Sequence, residues 1–99
     1  MSNPAGIETI NIGFGNYAAS ARVVAVVGAG SSPLRRLVDL AAKDNRLVDA
    51  TSGRRTRSII VTDSNHVILS HSQPATIARK LAGREPAAEE PVENDRDET

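Results

Sequence analysis

Thr51-Ser52-Gly53-Arg54-Arg55-Thr56-Arg57 is the stretch on which the reading of this chain turns. Three arginines fall within four positions, directly behind a glycine. Leu47-Val48-Asp49-Ala50 precedes them and Ser58-Ile59-Ile60-Val61-Thr62 follows. Apolar residues on both sides of a Ser-Gly dipeptide predict a hairpin with a cationic tip, although Ser-Gly is a weaker turn former than Asn-Gly. If Arg55-Thr56-Arg57 is extended, Arg55 and Arg57 share a face, Ile59 continues it, and Arg54 belongs to the turn. Guanidinium groups offer a planar fork of donors suited to phosphates and to guanine edges. A solvated turn without a ligand is the bland alternative. The absence of any acid from Ala50 through Thr62 weighs against it.

Charge is unevenly spread around this stretch. The 99 residues sum to zero net charge. Residues 1–84 hold eleven Lys/Arg and five Asp/Glu, a net +6, whereas residues 85–99 hold one Arg and seven Asp/Glu, a net −6. A basic body of this kind suits a polyanionic partner. The acidic stretch, with Pro86 and Pro91 and almost nothing large and apolar, reads as a disordered tail. Residues 1–6 read as a flexible N-terminus. Residues 7–84 are then one small domain. Phe14 and Tyr17 are its only aromatics, so the core must come from Val, Ile, Leu and Ala, and oligomerisation would add stability. No cysteine is present, which excludes disulfides, thiolate metal sites and a cysteine nucleophile. No signal pattern or membrane-length apolar run appears, so a soluble cytoplasmic protein is expected, without membrane contact.

Outward from the arginines, the pattern is that of a small α+β domain: a mixed sheet with two packed helices. Ile7-Glu8-Thr9-Ile10-Asn11-Ile12 alternates as a half-buried strand. Gly13-Phe14-Gly15-Asn16 predicts a tight turn with unusual dihedrals around a buried aromatic anchor. Tyr17 fits core, interface or stacking equally. Val23-Val24-Ala25-Val26-Val27 predicts a central strand, with Arg22 at its leading margin. Gly28-Ala29-Gly30 resembles a dinucleotide loop only weakly, because Pro33 stands where the third glycine belongs. No cofactor is expected.

Ser32 is the candidate N-cap of a helix of roughly three turns, with Pro33 at its first position. Leu34, Leu37, Val38 and Ala41 form its apolar face. Arg35 and Arg36 lie in its first turn, where the macrodipole disfavours each by about 0.3–1 kcal/mol. Anion contact or a bridge to another subunit would offset that. Asp63-Ser64-Asn65 is a second turn, and His66-Val67-Ile68-Leu69-Ser70 the last strand. Pro74 opens a second helix, Ile77 and Leu81 seal it to the sheet, and Gly83 stops it.

Little here is catalytic. His66 and His71 are the only histidines, no metal-ligand spacing accompanies them, and no serine has a base beside it in sequence. A non-enzyme is expected. Asp49 and Asp63 bracket the arginine stretch; orienting the arginines is a better role for them than holding magnesium. Three readings remain: duplex DNA binding, RNA binding, and a structural homo-oligomer without a nucleic-acid ligand. The scarcity of aromatics speaks against a single-strand stacking platform.

Ile10-Asn11-Ile12-Gly13-Phe14-Gly15-Asn16, Ser20-Ala21-Arg22, Asp49 through Arg57, Asp63 through Ser70, and Gln73-Pro74 together resemble the RemA family of bacterial regulators. The resemblance covers roughly residues 7–82. It implies a subunit similar to the LytTR type of DNA-binding domain, assembled into a closed ring, a heptamer or octamer. It also implies duplex DNA as partner, a place with the nucleoid, and regulation of extracellular-matrix (biofilm) operons. The family's DNA-contacting arginines fall on Arg22, Arg54 and Arg55, a further family arginine on Arg57, and a functionally sensitive proline on Pro33. Ser52 departs from the family's usual tyrosine, Gly28-Ala29-Gly30 from a less glycine-rich loop, and His71-Ser72 from small apolar residues.

Overall fold

The computed structural model describes residues 7–83. The expectations for residues 1–6 and for the acidic tail lie outside them. The elements run β1 (Thr9–Gly13), β2 (Asn16–Ala19), a 3-10 turn (Ser20–Arg22), β3 (Val23–Gly28), α1 (Ser32–Lys43), β4 (Leu47–Asp49), β5 (Ser58–Thr62), β6 (Val67–Ser70) and α2 (Pro74–Leu81). The class is α+β, as expected. β1 and β2 form a hairpin of their own, and the other strands make one mixed sheet in the order β3-β5-β6-β4. β4 runs parallel to β6; the other pairs are antiparallel.

β5 and β6 take the middle because they are apolar on both faces. Ile59 and Ile60 are adjacent, point to opposite sides, and are both buried. On one side Ile60 and its cross-strand partner Ile68 pack with Ile10, Ile12 and Ala18 of the hairpin and Ile77 of α2. On the other, Ile59 and Val67 pack against Ala41, with Leu34, Leu37 and Val38 of α1 around them. The helix face read from the sequence is thus the face that packs. Cutting Ile60 back to alanine would cost about 2–5 kcal/mol, the range for a buried isoleucine.

Two strand placements differ from expectation. Leu47–Ala50 and Ser58–Thr62 do not form a hairpin, because β6 lies between β4 and β5. Alternation specifies which face a strand buries, not which strand it pairs with. The tight turn from Thr62 to His66 sets β6 directly beside β5. Residues 50–57 then need only to pass over the end of β6, about two interstrand spacings or ~10 Å. The valine run is also not central. β3 is an edge strand, and Val24, at an irregularity in its register with β5, is 66% exposed.

The helix boundaries shift by one residue. Ser31, not Ser32, caps α1: its backbone is extended and its hydroxyl accepts from the Leu34 N–H at 3.4 Å. Pro33 therefore occupies the second helical position. Pro74 opens α2 and the left-handed Gly83 follows its end, both as expected.

Candidate nucleic-acid interface

The arginine loop is held at both ends. At its start, Ala50 N–H donates to the Leu69 carbonyl at 2.9 Å, extending the β4–β6 ladder. Asp49 Oδ1 accepts from Thr51 twice, from the hydroxyl at 2.6 Å and from the backbone N–H at 2.9 Å. Those bonds, the hydroxyl's first, hold the Asp49 carboxyl below its ordinary value, against a small opposing effect of burial. At its finish, Arg57 N–H donates to Ser70 at 2.8 Å and the Arg57 carbonyl accepts from Ala29 N–H at 3.2 Å. Between these anchors Arg54 N–H closes a turn onto Thr51 O at 2.9 Å. Ser52 and Gly53 have φ of 53° and 81°, the signature of a type I′ turn.

Arg54 and Arg55 are exposed on this turn. The Arg54 guanidinium carbon sits 5.3 Å from the centroid of Phe14, a cation–π contact. Phe14 in turn lies 6.1 Å from the His71 ring. His71 Nδ1 is 2.7 Å from the Arg55 carbonyl, and since a carbonyl only accepts, Nδ1 carries the proton of that bond. Three segments distant in sequence thus meet here: the β1–β2 turn, the arginine loop and the connection into α2. Ser70 Oγ, donating to Ile12 O at 2.8 Å, ties the hairpin to the sheet close by.

Phe14 corrects an expectation. It is 48% exposed rather than a buried anchor, with φ of 55°. Such a backbone costs a bulky residue on the order of 1–3 kcal/mol. Neither Phe14 nor His71 was singled out for the site from sequence. The two glycines around one aromatic, and His71 as a departure from the family pattern, were the available signals.

The other candidate residues are dispersed. Arg57 is half-buried, with Nε and Nη2 shielded from solvent, so it belongs to the body of the loop and not to its tip. Arg22 lies at the far end of the sheet: Gly28 pairs with Ser58 but Val23 with Thr62. Along β5 this separates it from the arginine loop by roughly four strand residues, or ~14 Å. There its Nε meets Asp63 Oδ1 at 2.8 Å, both side chains being more than half exposed. The two bracketing acids accordingly sit at opposite ends of β5. Asp49 braces the loop through Thr51, and only Asp63 engages an arginine side chain. Arg35 and Arg36 are exposed in the first turn of α1. Arg35 and Thr56 line one shallow cavity of 240 Å³, which puts the start of α1 beside the arginine loop. Pro33 is exposed at that same helix start. His66 is far from His71, bonded through Nδ1 to Ser64 Oγ at 2.7 Å. Among the described residues no group of three side chains could hold a metal ion, and no helix is long and apolar enough to cross a membrane.

The family model for RemA-like proteins, described as extracellular matrix regulatory protein A-like, matches residues 9–81. The chain belongs to the RemA-like family. Three relatives named as candidate regulatory proteins show the extent of the likeness. One from Moorella thermoacetica is 52% identical over 89 residues, covering 88% of this chain and 98% of the relative. One from Maridesulfovibrio salexigens is 56% identical over 86 residues, 87% and 93% of the two chains. One from Thermotoga petrophila is 61% identical over 72 residues, 73% and 78%. The RemA-like match takes in every element from β1 to α2, and with it the whole arginine loop. Membership and these names support a regulatory role.

Proposed function

We propose that this RemA-like chain is a sequence-selective regulator of transcription that binds double-stranded DNA as a ring-shaped homo-oligomer. One observation carries the reading. Arg54 and Arg55 stand exposed at the tip of a loop anchored at both ends, with no carboxylate against either among the described residues. Cations kept clear of acids on a rigid support suit phosphates and base edges. Arg22 and the start of α1, with Arg35 and Arg36, extend the basic surface, and Arg57 supports it from within. Repetition around a ring would multiply the few contacts one small subunit can make. The free edges of β3 and β4, with exposed Val24 and Val48, offer surfaces for such assembly. Matrix operons as targets and a nucleoid location follow from the family resemblance.

The test is a fluorescence-anisotropy titration of duplex DNA with wild type and with Arg54→Ala/Arg55→Ala, alongside oligomer mass. The double variant should keep its mass and lose DNA binding. Equal binding by both proteins would contradict the reading. Structured RNA outcompeting duplex at equal salt would move it to RNA.

A further inference from the structure

The only phenylalanine of the chain is spent in an unusual way. It is placed at a left-handed backbone position, half exposed, at the tip of a hairpin that buries Ile10 and Ile12 and exposes Tyr17. Nothing in the subunit core needs it there. What it touches is Arg54, whose guanidinium lies over the ring at 5.3 Å, and the His71 ring behind it. His71 ties the same post to the Arg55 backbone at 2.7 Å. The Arg55 side chain has no such support: among the described residues it is exposed and makes no hydrogen bond, ion pair or ring contact.

From this difference we propose that Phe14 is a positioning residue that makes Arg54, and not Arg55, the arginine that discriminates between DNA sequences. The inference rests on the DNA-binding reading above and deepens it. Recognition of a base edge needs the guanidinium fork held in one attitude, because a bidentate pair tolerates little misalignment. Attraction to phosphate tolerates a mobile side chain and carries no sequence information. A guanidinium already laid on an aromatic face loses less freedom when it binds. Arg54 meets the first requirement and Arg55 only the second.

The experiment compares wild type, Phe14→Leu, Phe14→Trp and Arg55→Ala, as full chains. Each is titrated with a duplex selected by wild type from a randomised pool, and with poly(dI-dC). Leucine carries the same left-handed penalty as phenylalanine and fills similar space, but has no π face. Phe14→Leu should bind the selected duplex about two- to five-fold more weakly per subunit, the worth of an exposed cation–π contact. It should bind poly(dI-dC) as wild type does. Phe14→Trp should restore the ratio of the two affinities. Arg55→Ala should weaken both duplexes alike and leave the ratio unchanged. An unchanged ratio in Phe14→Leu, or a wild type that binds duplex without selectivity, would overturn the inference while leaving DNA binding intact. A wild type that binds neither duplex would instead refute the DNA-binding reading itself.

Discussion

The two ends of β5 carry arginine in opposite company. At the Ser58 end, Arg54 rests on an aromatic ring and Arg55 on nothing but its backbone. At the Thr62 end, Arg22 is paired with Asp63 at 2.8 Å. Both ends are turns, and both use left-handed residues, Ser52 and Gly53 at one and Asn65 at the other. The second turn gives Asp63 to Arg22 and bonds other polar side chains to one another. Thr62 Oγ1, Ser64 Oγ and His66 Nδ1 form a chain of contacts at 2.9 and 2.7 Å. The first spends its carboxylate on Thr51 and leaves its cations outward. The difference teaches that a count of arginines is a poor guide to a binding surface. What matters is whether each charge already has a carboxylate beside it.

The largest expected effect sets these ends against each other directly. Replacing Arg54 and Arg55 with alanine should weaken duplex binding by at least roughly 30-fold, at about 1–3 kcal/mol for each arginine contact. Replacing Arg22 alone should cost about tenfold less than that, because Arg22 must leave Asp63 before it reaches a phosphate. Equal losses in anisotropy titrations would erase the distinction. The next effect is a gain. Asp63→Asn frees Arg22 and should tighten DNA binding by about two- to five-fold, since an exposed ion pair is worth at most about 1 kcal/mol. Weaker binding by that variant would mean that Asp63 orients Arg22 for DNA.

A smaller effect concerns acid. The Thr51 bonds lower the Asp49 pKa from its ordinary 3.8, so the folded state binds the proton less well than the unfolded chain. Asp49 therefore contributes stability above pH 3.8 and loses it as pH falls through the lowered value. In thermal melts at a series of pH values, Asp49→Asn should be less stable than wild type at neutral pH, and the gap should close below about pH 4. A gap of constant size would show that the charge has no part in bracing the loop. The smallest effect is at Ser52, a non-glycine residue at φ 53°. Ser52→Gly should leave the fold unchanged and shift the melting temperature by only a degree or two, since the relief of the left-handed penalty is largely offset by chain entropy. A large fall would assign the Ser52 side chain a contact at this turn.

Much of this comparison could be seen in the sequence, and the missing part has a physical reason. Alternation along residues 7–12 and the spacing of Leu34, Leu37, Val38 and Ala41 showed which faces are buried, because burial follows local periodicity. Strand order did not follow, since Leu47–Asp49 pairs with Val67–Leu69 across an intervening strand in sequence. The valine run read as central because five apolar residues satisfy a two-sided strand. An edge strand flanked by packing on both faces satisfies the same pattern. A turn at Ser52-Gly53 with a cationic tip was legible; its type I′ geometry is seen only in the backbone. The props of the tip were not legible: Phe14 and Arg54 are forty positions apart, and Arg22 and Asp63 forty-one. No local pattern joins residues that far apart.

The most direct test of the account is the salt dependence of duplex binding for wild type beside Arg54→Ala/Arg55→Ala. Each phosphate contact adds about 0.9 to the slope of log K against log salt. The expected result is a steep wild-type line, and for the variant a line shallower by at least about one contact per bound subunit, that of Arg55, at unchanged oligomer mass. Parallel lines for the two proteins, or a wild type that fails to retain duplex even at low salt, would contradict it.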